Sequence, residues 1–125
     1  MAVYTTPPKV AIREYHAILN QAGTAAPTAI VLHNTLGKNA SWQRTGVGQY
    51  SLICSGAFPE NKVIMQVGTT AGWDGGVPTQ AGKTLYAQWL NTGNLYVEQR
   101  NTISPYGVVD GLNGVYVIVK VYDNN

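Results

Sequence analysis

The chain has 125 residues, the length of one domain built around a single core. Only 11% of the residues are charged, against about a quarter in typical soluble domains. The net charge is +2 and the Lys and Arg residues are scattered, so the clustered phosphate contacts of a nucleic-acid-binding protein are not expected. No stretch reaches the roughly 18 apolar residues of a membrane-spanning helix. The composition therefore excludes nucleic acid and the membrane as expected partners.

Residues 1–13 contain Pro7-Pro8 and show no regular hydrophobic period. Two consecutive prolines favour an extended backbone that cannot complete a strand ladder. The sequence therefore predicts an extended N-terminal arm, with Val3 and Tyr4 near its tip, followed by a single β-sandwich domain over residues 14–125.

Eight segments after the arm have strand character, because apolar and aromatic residues alternate in them and Gly, Asn or Pro bound them. In the first segment Tyr15, Ala17 and Leu19 share one face, and the second is centred on Ala29-Ile-Val-Leu. No window has a convincing helical period. The predicted strands are residues 14–22, 28–36, 40–44, 49–55, 63–67, 83–90, 95–102 and 115–122. Many short strands with Gly-rich turns predict an all-β fold, either an antiparallel β-sandwich or a jelly-roll-like fold, and leave an immunoglobulin-like sandwich and a barrel open.

Two connections have distinct compositions. Residues 68–82 contain five of the 14 glycines and are predicted to form a long irregular loop, a kind of segment that often carries function. Asn91 to Asn94, with the sequence Asn-Thr-Gly-Asn, is predicted to join two strands as a four-residue hairpin connection.

The last predicted strand has two faces of different character. Val115, Val117, Val119 and Val121 alternate onto one face, which can only be core. The opposite face is too apolar for free solvent and, because it contains a lysine, too polar for a sealed core. We expect it to meet another sheet, another subunit or a ligand; its residues are Tyr116, Ile118, Lys120 and Tyr122.

The residues needed for catalysis are sparse. His16 and His33 are the only histidines, and they could pair if both strands directed them to one side, but no acidic residue is identified to orient them. The six acidic residues are solitary, and no nucleophile elbow, phosphate loop or zinc spacing is present. Cys54, the single cysteine, excludes an intrachain disulfide and is expected to pack as a small apolar side chain. The sequence therefore predicts no enzyme, no cofactor and no metal site.

Tryptophan and tyrosine offer the better signal for binding, because they are enriched at interfaces. Trp42 and Trp89 are expected in the core, whereas Trp73, in the Gly-rich loop, fits a core and an interface equally well. Tyr106 belongs to a late-chain aromatic set that could contact a partner. The same aromatics could stack on a sugar, so a carbohydrate-binding or adhesin module with a glycan partner is the alternative function.

The run from Ala17 to Gly37, followed by residues 42–50 and by Gly56-Ala-Phe58, resembles small structural proteins of tailed bacteriophages. The resemblance covers roughly residues 15 to 60 and carries over no functional residue. It implies a virion component, either a capsid decoration or head fibre or a part of the tail, located in the virion and bound to other virion proteins.

Together with the composition, the resemblance predicts a homo-oligomer, with a trimer as the expected form. Such a protein acts through contacts between subunits. The candidate interface residues are Val3, Tyr4, Trp73, Tyr106, Tyr116, Ile118, Lys120 and Tyr122.

Overall fold

The computed structural model describes residues 11–69, 73–74, 77–78, 83–102 and 107–123, and for residues 69, 73–74 and 77–78 it describes the backbone alone. Every helix or strand within these ranges is a β-strand, so the all-β prediction is confirmed. The strands are β1 (Ala11–Gln21), β2 (Thr28–Asn34), β3 (Ser41–Gly46), β4 (Gln49–Ile53), β5 (Val63–Thr69), β6 (Trp73–Asp74), β7 (Val77–Pro78), β8 (Lys83–Asn91), β9 (Asn94–Asn101) and β10 (Leu112–Asp123).

Eight of the described strands form two antiparallel sheets of four strands each. Sheet A has the order β2-β1-β10-β5, and sheet B has the order β3-β4-β9-β8. The two-residue strands β6 and β7 pair only with each other. One hydrophobic core lies between sheets A and B, which confirms the β-sandwich.

The first and last strands are the central pair of sheet A. They pair over their whole length, from Ala11 opposite Asp123 to Gln21 opposite Leu112. The sequence predicts an extended arm over residues 1–13. Residues 11–13 instead belong to β1, because its ladder with β10 extends to Ala11. Residues 1–10, including Val3 and Tyr4, lie outside the described residues.

The core is built from the alternate residues that the sequence pattern assigned to one face. Val115, Val117, Val119 and Val121 are fully buried, and sheet B faces them with residues such as Leu52. Burying one aliphatic side chain contributes about 1.5–3 kcal/mol, so the valine face contributes on the order of 6–12 kcal/mol as an upper limit. Among the described residues the other fully buried large aliphatic or aromatic side chains are Tyr15, Leu19, Tyr50, Phe58, Leu95 and Val97.

The two connections differ from their predicted forms in extent. Asn91 pairs with Asn94, so these residues end the strands and the turn itself is Thr92-Gly93. Residues 68–69, predicted to begin the long loop, extend β5 instead, because they continue its ladder with Tyr116 and Val115. The rest of that loop is described only at β6 and β7.

Candidate contact surface

The outer surface of sheet A, turned away from the core, is the main candidate site, and we call it face A. Paired residues in an antiparallel ladder point to the same side, so the register fixes its membership. Face A consists of Ile12, Glu14, His16, Ile18 and Asn20 of β1, Thr28, Ile30 and His33 of β2, Ile64, Gln66 and Gly68 of β5, and Tyr116, Ile118, Lys120 and Tyr122 of β10.

The residues of face A form rows that run across the sheet. One row is Ile30, Ile18, Tyr116 and Gly68. The next row is His33, His16, Ile118 and Gln66, so it is polar at both ends. Ile12, Ile30 and Ile64 are 45%, 57% and 52% exposed, so face A leaves substantial apolar area in contact with water.

Four of the predicted interface residues lie together on face A. Tyr116, Ile118, Lys120 and Tyr122 are all half-buried there, which is the intermediate environment that the sequence pattern indicated. With Ile64 and Gln66 the last three line a shallow depression of about 180 Å³. Tyr106 lies outside the described residues, and the side chain of Trp73 is not among those described.

Tyr116 has a second role within the fold. A Cβ atom added at Gly68 would lie 2.6 Å from Cε1 and from the hydroxyl oxygen of Tyr116. The ring therefore occupies the space that a side chain at position 68 would need, and it covers the exposed backbone of β5. This contact explains why Tyr116 is only partly available to a partner.

The histidines are brought together by the register of β1 and β2. His16 is opposite His33, and the two ring centroids lie 5.3 Å apart with an angle of 57° between the planes. Nε2 of His16 lies 3.5 Å from Oε1 of Glu14 and has no hydrogen-bond partner among the described residues. An acidic residue does therefore accompany the pair, two positions away on the same strand.

This histidine cluster lies on an open sheet surface rather than inside a cleft. Its neighbours on face A include Ile18, Ile30 and Ile118. Within the described residues no group of three His, Cys, Asp or Glu side chains is arranged to hold a metal ion. The cluster places two bases and a carboxylate together, and the same surface that carries them is predominantly apolar.

The outer surface of sheet B has a different chemistry. Tyr96 donates its hydroxyl hydrogen to Oε1 of Glu98 at 2.8 Å, and Arg100 donates from Nε to Oε2 of Glu98 at 2.6 Å. Burial together with this carboxylate raises the pKa of Tyr96 to about 12, and the bond from Arg100 lowers the pKa of Glu98. These groups satisfy one another, and Tyr86 is 52% exposed beside them on the same surface.

A polar cluster around Asp110 was not singled out from the sequence. Asp110 accepts two hydrogen bonds from Arg44, at 3.1 and 2.8 Å, and one from the backbone N–H of Gly48 at 2.9 Å. The Tyr50 hydroxyl lies 3.0 Å from Asp110 and 2.8 Å from Oε1 of Gln21, so its one hydrogen is shared between two acceptors. These bonds, that from Arg44 first, lower the pKa of Asp110 to about 2, whereas burial and then the carboxylate raise the pKa of Tyr50.

The Asp110 cluster joins the segment before β10 to the β3–β4 turn and to the end of β1. Gln99, fully buried, completes it by donating from Nε2 to the carbonyl oxygens of Val109, Asp110 and Gly111. Buried polar groups of this kind stabilise a fold when all their bonds are made. The arrangement therefore holds the segment before β10 in place. In the sequence, the one indication of it was Gln99, a polar residue at an inward-facing position of a strand.

A second ion pair closes the opposite end of sheet A. Arg13 donates to both carboxylate oxygens of Asp123, at 2.6 and 3.0 Å, and to the carbonyl oxygens of Leu36 and Ala57. The bond from Arg13 lowers the pKa of the Asp123 carboxyl. This bidentate pair locks the ends of the two central strands together.

The predictions for Trp42 and Cys54 are confirmed, and Trp89, predicted to be core, is partly buried at the margin of the core. Trp42 is buried and donates from Nε1 to the Tyr15 hydroxyl at 3.0 Å, and Trp89 packs against the core and donates to the carbonyl oxygen of Phe58 at 2.9 Å. Cys54 is 1% exposed, and burial raises the pKa of its thiol. Both indole N–H groups thus have partners, as buried tryptophans require.

Over the described ranges no helix has the length and apolar character to cross a membrane. Comparison with protein-family models, with curated proteins and with solved structures yields no match.

Proposed function

We propose that the chain is a non-enzymatic structural protein of a tailed-bacteriophage virion, in the capsid decoration, the head fibre or the tail. It acts through contacts between subunits, and face A is its contact surface. The observation that carries the proposal is a difference between the two outer surfaces of the sandwich: on sheet B the charged groups pair with one another, whereas face A exposes isoleucines beside half-buried tyrosines.

Physical chemistry favours a protein partner for face A. A wide apolar patch with polar groups among the apolar ones is typical of a protein interface. Tyr116 and Tyr122 supply large, stiff contact area with few rotatable bonds, and Lys120 lies 3.9 Å from Glu14 across the ladder. A subunit packed here would also cover His16 and His33, so the histidine cluster fits within the same contact.

The resemblance of residues 15 to 60 to phage structural proteins supplies the class of assembly. The low charge content supports it, since a surface embedded in a particle needs fewer charges to stay soluble. The expected partners are further copies of the chain and other virion proteins, and the expected location is the virion.

The first test measures assembly and fold separately. The double variant Tyr116→Ser, Tyr122→Ser should weaken self-association in light scattering while shifting thermal unfolding by less than about 10 °C. The matched control is Tyr86→Ser, because Tyr86 is 52% exposed on the outer surface of sheet B. If the double variant unfolds early but still assembles, the tyrosines belong to the fold alone and face A is not the contact surface.

The second test concerns the particle itself. Phage particles purified from cells that carry the gene should contain peptides of this chain by mass spectrometry, in amounts comparable with known virion proteins. Particles that lack the chain, together with a monomer that stays monomeric at high concentration, would contradict the proposed function.

A further inference from the structure

The free edge of sheet A carries a separate inference. β2 lies at the end of the sheet and, within the described part of the chain, pairs with β1 on one side only, so its other side presents backbone N–H and C=O groups that no described strand pairs. All seven of its residues are exposed, and Ile30, Val31 and Leu32 are 57%, 50% and 64% exposed. Three consecutive apolar residues on a free strand edge form a template for another strand.

β2 lacks the charges that normally protect such an edge. It contains no Lys, Arg, Asp, Glu or Pro, whereas edge strand β3 carries Arg44 and edge strand β8 carries Lys83. The fourth edge strand, β5, is also uncharged, but it lies against β8 of the other sheet. Two copies of β2 can therefore approach each other without like-charge repulsion.

One protective feature is present in β2, and it fixes the length of a pairing. His33 is opposite His16 and Val31 is opposite Ala17, so Leu32 is an extra residue in a β-bulge. Before the bulge the alternation is regular: Ile30 lies on face A opposite Ile18, and Ala29 and Val31 point to the inner side. A second strand can follow Thr28–Leu32 in register, and beyond Leu32 the alternation is broken.

We propose that β2 is a homotypic contact, in which two copies of this chain pair their β2 strands antiparallel about a two-fold axis at Ile30. This register places Ile30 opposite Ile30 of the second copy, Ala29 opposite Val31 and Thr28 opposite Leu32. Each pair then joins residues of the same face, which a two-fold axis at Val31 does not achieve, because it would set inward-pointing Ala29 against outward-pointing His33.

The pairing joins two sheets A into one sheet of eight strands. The row of Tyr116, Ile18 and Ile30 continues directly into the same row of the second copy, so a single apolar band crosses both subunits. The contact is isologous, as a two-fold dimer requires. This inference goes beyond the proposed function, because it holds for the chain in solution whatever larger assembly the chain joins.

A single strand edge is a small interface, and small interfaces are weak. We expect a dimer that forms at micromolar concentration, measured by analytical ultracentrifugation of the full chain. Ile30→Lys places two like charges directly opposite each other and should raise the dimer dissociation constant at least about tenfold. The matched control is Val47→Lys, since Val47 is 49% exposed in the turn between β3 and β4 and should leave the dissociation constant unchanged.

Cysteine cross-linking tests the register directly. Ile30→Cys should form a disulfide-linked dimer under mild oxidation, because directly opposite cross-strand positions bring Cβ atoms close enough for the bond. Val31→Cys should not, since the two sites would be diagonal and their Cα atoms more than about 7 Å apart. The wild-type chain is the control for Cys54, which is buried.

The outcomes distinguish this contact from the proposed function. A chain that remains monomeric at millimolar concentration, a dimer that Ile30→Lys leaves intact, or preferential cross-linking through Val31→Cys would overturn the homotypic pairing. A trimer lost in the Tyr116→Ser, Tyr122→Ser variant but kept in Ile30→Lys would also overturn it, while supporting the proposed function. Because Ile30 also lies on face A, the reverse result needs dimers that cross-link through Ile30→Cys and persist in the Tyr116→Ser, Tyr122→Ser variant, formed by a chain that is absent from phage particles.

Discussion

Replacing Asp110 by Asn removes one negative charge and leaves the shape of the side chain unchanged. In the wild-type chain the carboxylate accepts two hydrogen bonds from Arg44, one from the backbone of Gly48 and a shared one from Tyr50. An amide offers one oxygen, and its NH₂ group would face a donor of Arg44 or Gly48. The variant should therefore lose charge-assisted bonds and leave the Arg44 guanidinium without its counter-ion.

The magnitude of the effect follows from the carboxyl pKa. Lowering the pKa of Asp110 from its ordinary value to about 2 corresponds to at most roughly 2.5 kcal/mol of stability at neutral pH. The Asp110 side chain is 21% exposed, and solvent screening reduces this contribution to about 1–2 kcal/mol. The hydrogen bonds from Gly48 and Tyr50 already contribute to the lowered pKa, so we expect Asp110→Asn to lower the free energy of unfolding by about 1–2 kcal/mol.

The measurement is urea unfolding followed by tryptophan fluorescence at several pH values. Because the folded-state pKa is lowered, the stabilisation is fully present above the ordinary carboxyl pKa and is lost as the pH falls toward 2. The pKa-dependent part of the difference between wild type and variant should fall to about half at pH 3 and to about a sixth at pH 2. Asp123 and Glu98 have lowered pKa values too, so the free energy of unfolding of the Asp110→Asn variant also falls at low pH.

Glu60→Gln is the control, because Glu60 is an exposed carboxylate in a turn and the change is chemically equivalent; its effect should stay within about 0.5 kcal/mol. An Asp110→Asn variant as stable as Glu60→Gln at pH 7 would show that the Asp110 carboxylate does not stabilise the fold. So would a difference between wild type and Asp110→Asn that is constant from pH 7 to pH 2.

Three further predictions concern the packing of the sandwich. Gly48→Ala should cost more than about 3 kcal/mol or prevent folding, because Gly48 has φ of +65° and an added Cβ would lie 2.6–2.8 Å from backbone atoms of Val109 and Gln99. The control Gly37→Ala, with φ of +84° and open space around the added Cβ, should cost only about 1–2 kcal/mol. Equal costs in urea unfolding would contradict the close approach at Gly48. Gln99→Leu should cost about 2–4 kcal/mol because it supplies no donor for the half-buried carbonyl oxygens of Val109 and Asp110, whereas Gln43→Leu on an exposed position of β3 should be nearly neutral, a contrast that thermal unfolding measures. Cys54 should resist iodoacetamide in the folded chain and react after denaturation, because its thiol is buried and has a raised pKa. Labelling is measured by mass spectrometry, and rapid labelling of the native protein would show that the core opens at the end of β4.

Local pattern was enough to predict most of the strands. Alternation assigned Tyr15, Ala17 and Leu19 to the core side of β1 and the four valines to that of β10, and all of these residues are buried. Side-chain alternation is a property of each strand by itself, so it is legible without knowing which strands are neighbours. The same property predicted that Tyr116, Ile118, Lys120 and Tyr122 share a less buried face.

The polar clusters could not be predicted in this way. Asp110 and Arg44 are 66 positions apart, and Arg13 and Asp123 are 110 positions apart. Each of these residues is solitary in the sequence, and only the pairing of distant strands brings it to its partner. His16 and His33 likewise meet because a bulge sets the register between β1 and β2.

β2 shows most clearly where sequence information ends. Its run of Ala29, Ile30, Val31 and Leu32 identifies a strand, and the same composition would suit the centre of a buried sheet. The order of strands in sheet A instead places β2 at the edge, with the whole strand exposed. The composition of this run is enough to show that these residues form a strand. Burial depends on which strands are neighbours in the sheet and not on the alternation within one strand. The strand order of sheet A therefore leaves β2 uncovered by the described residues.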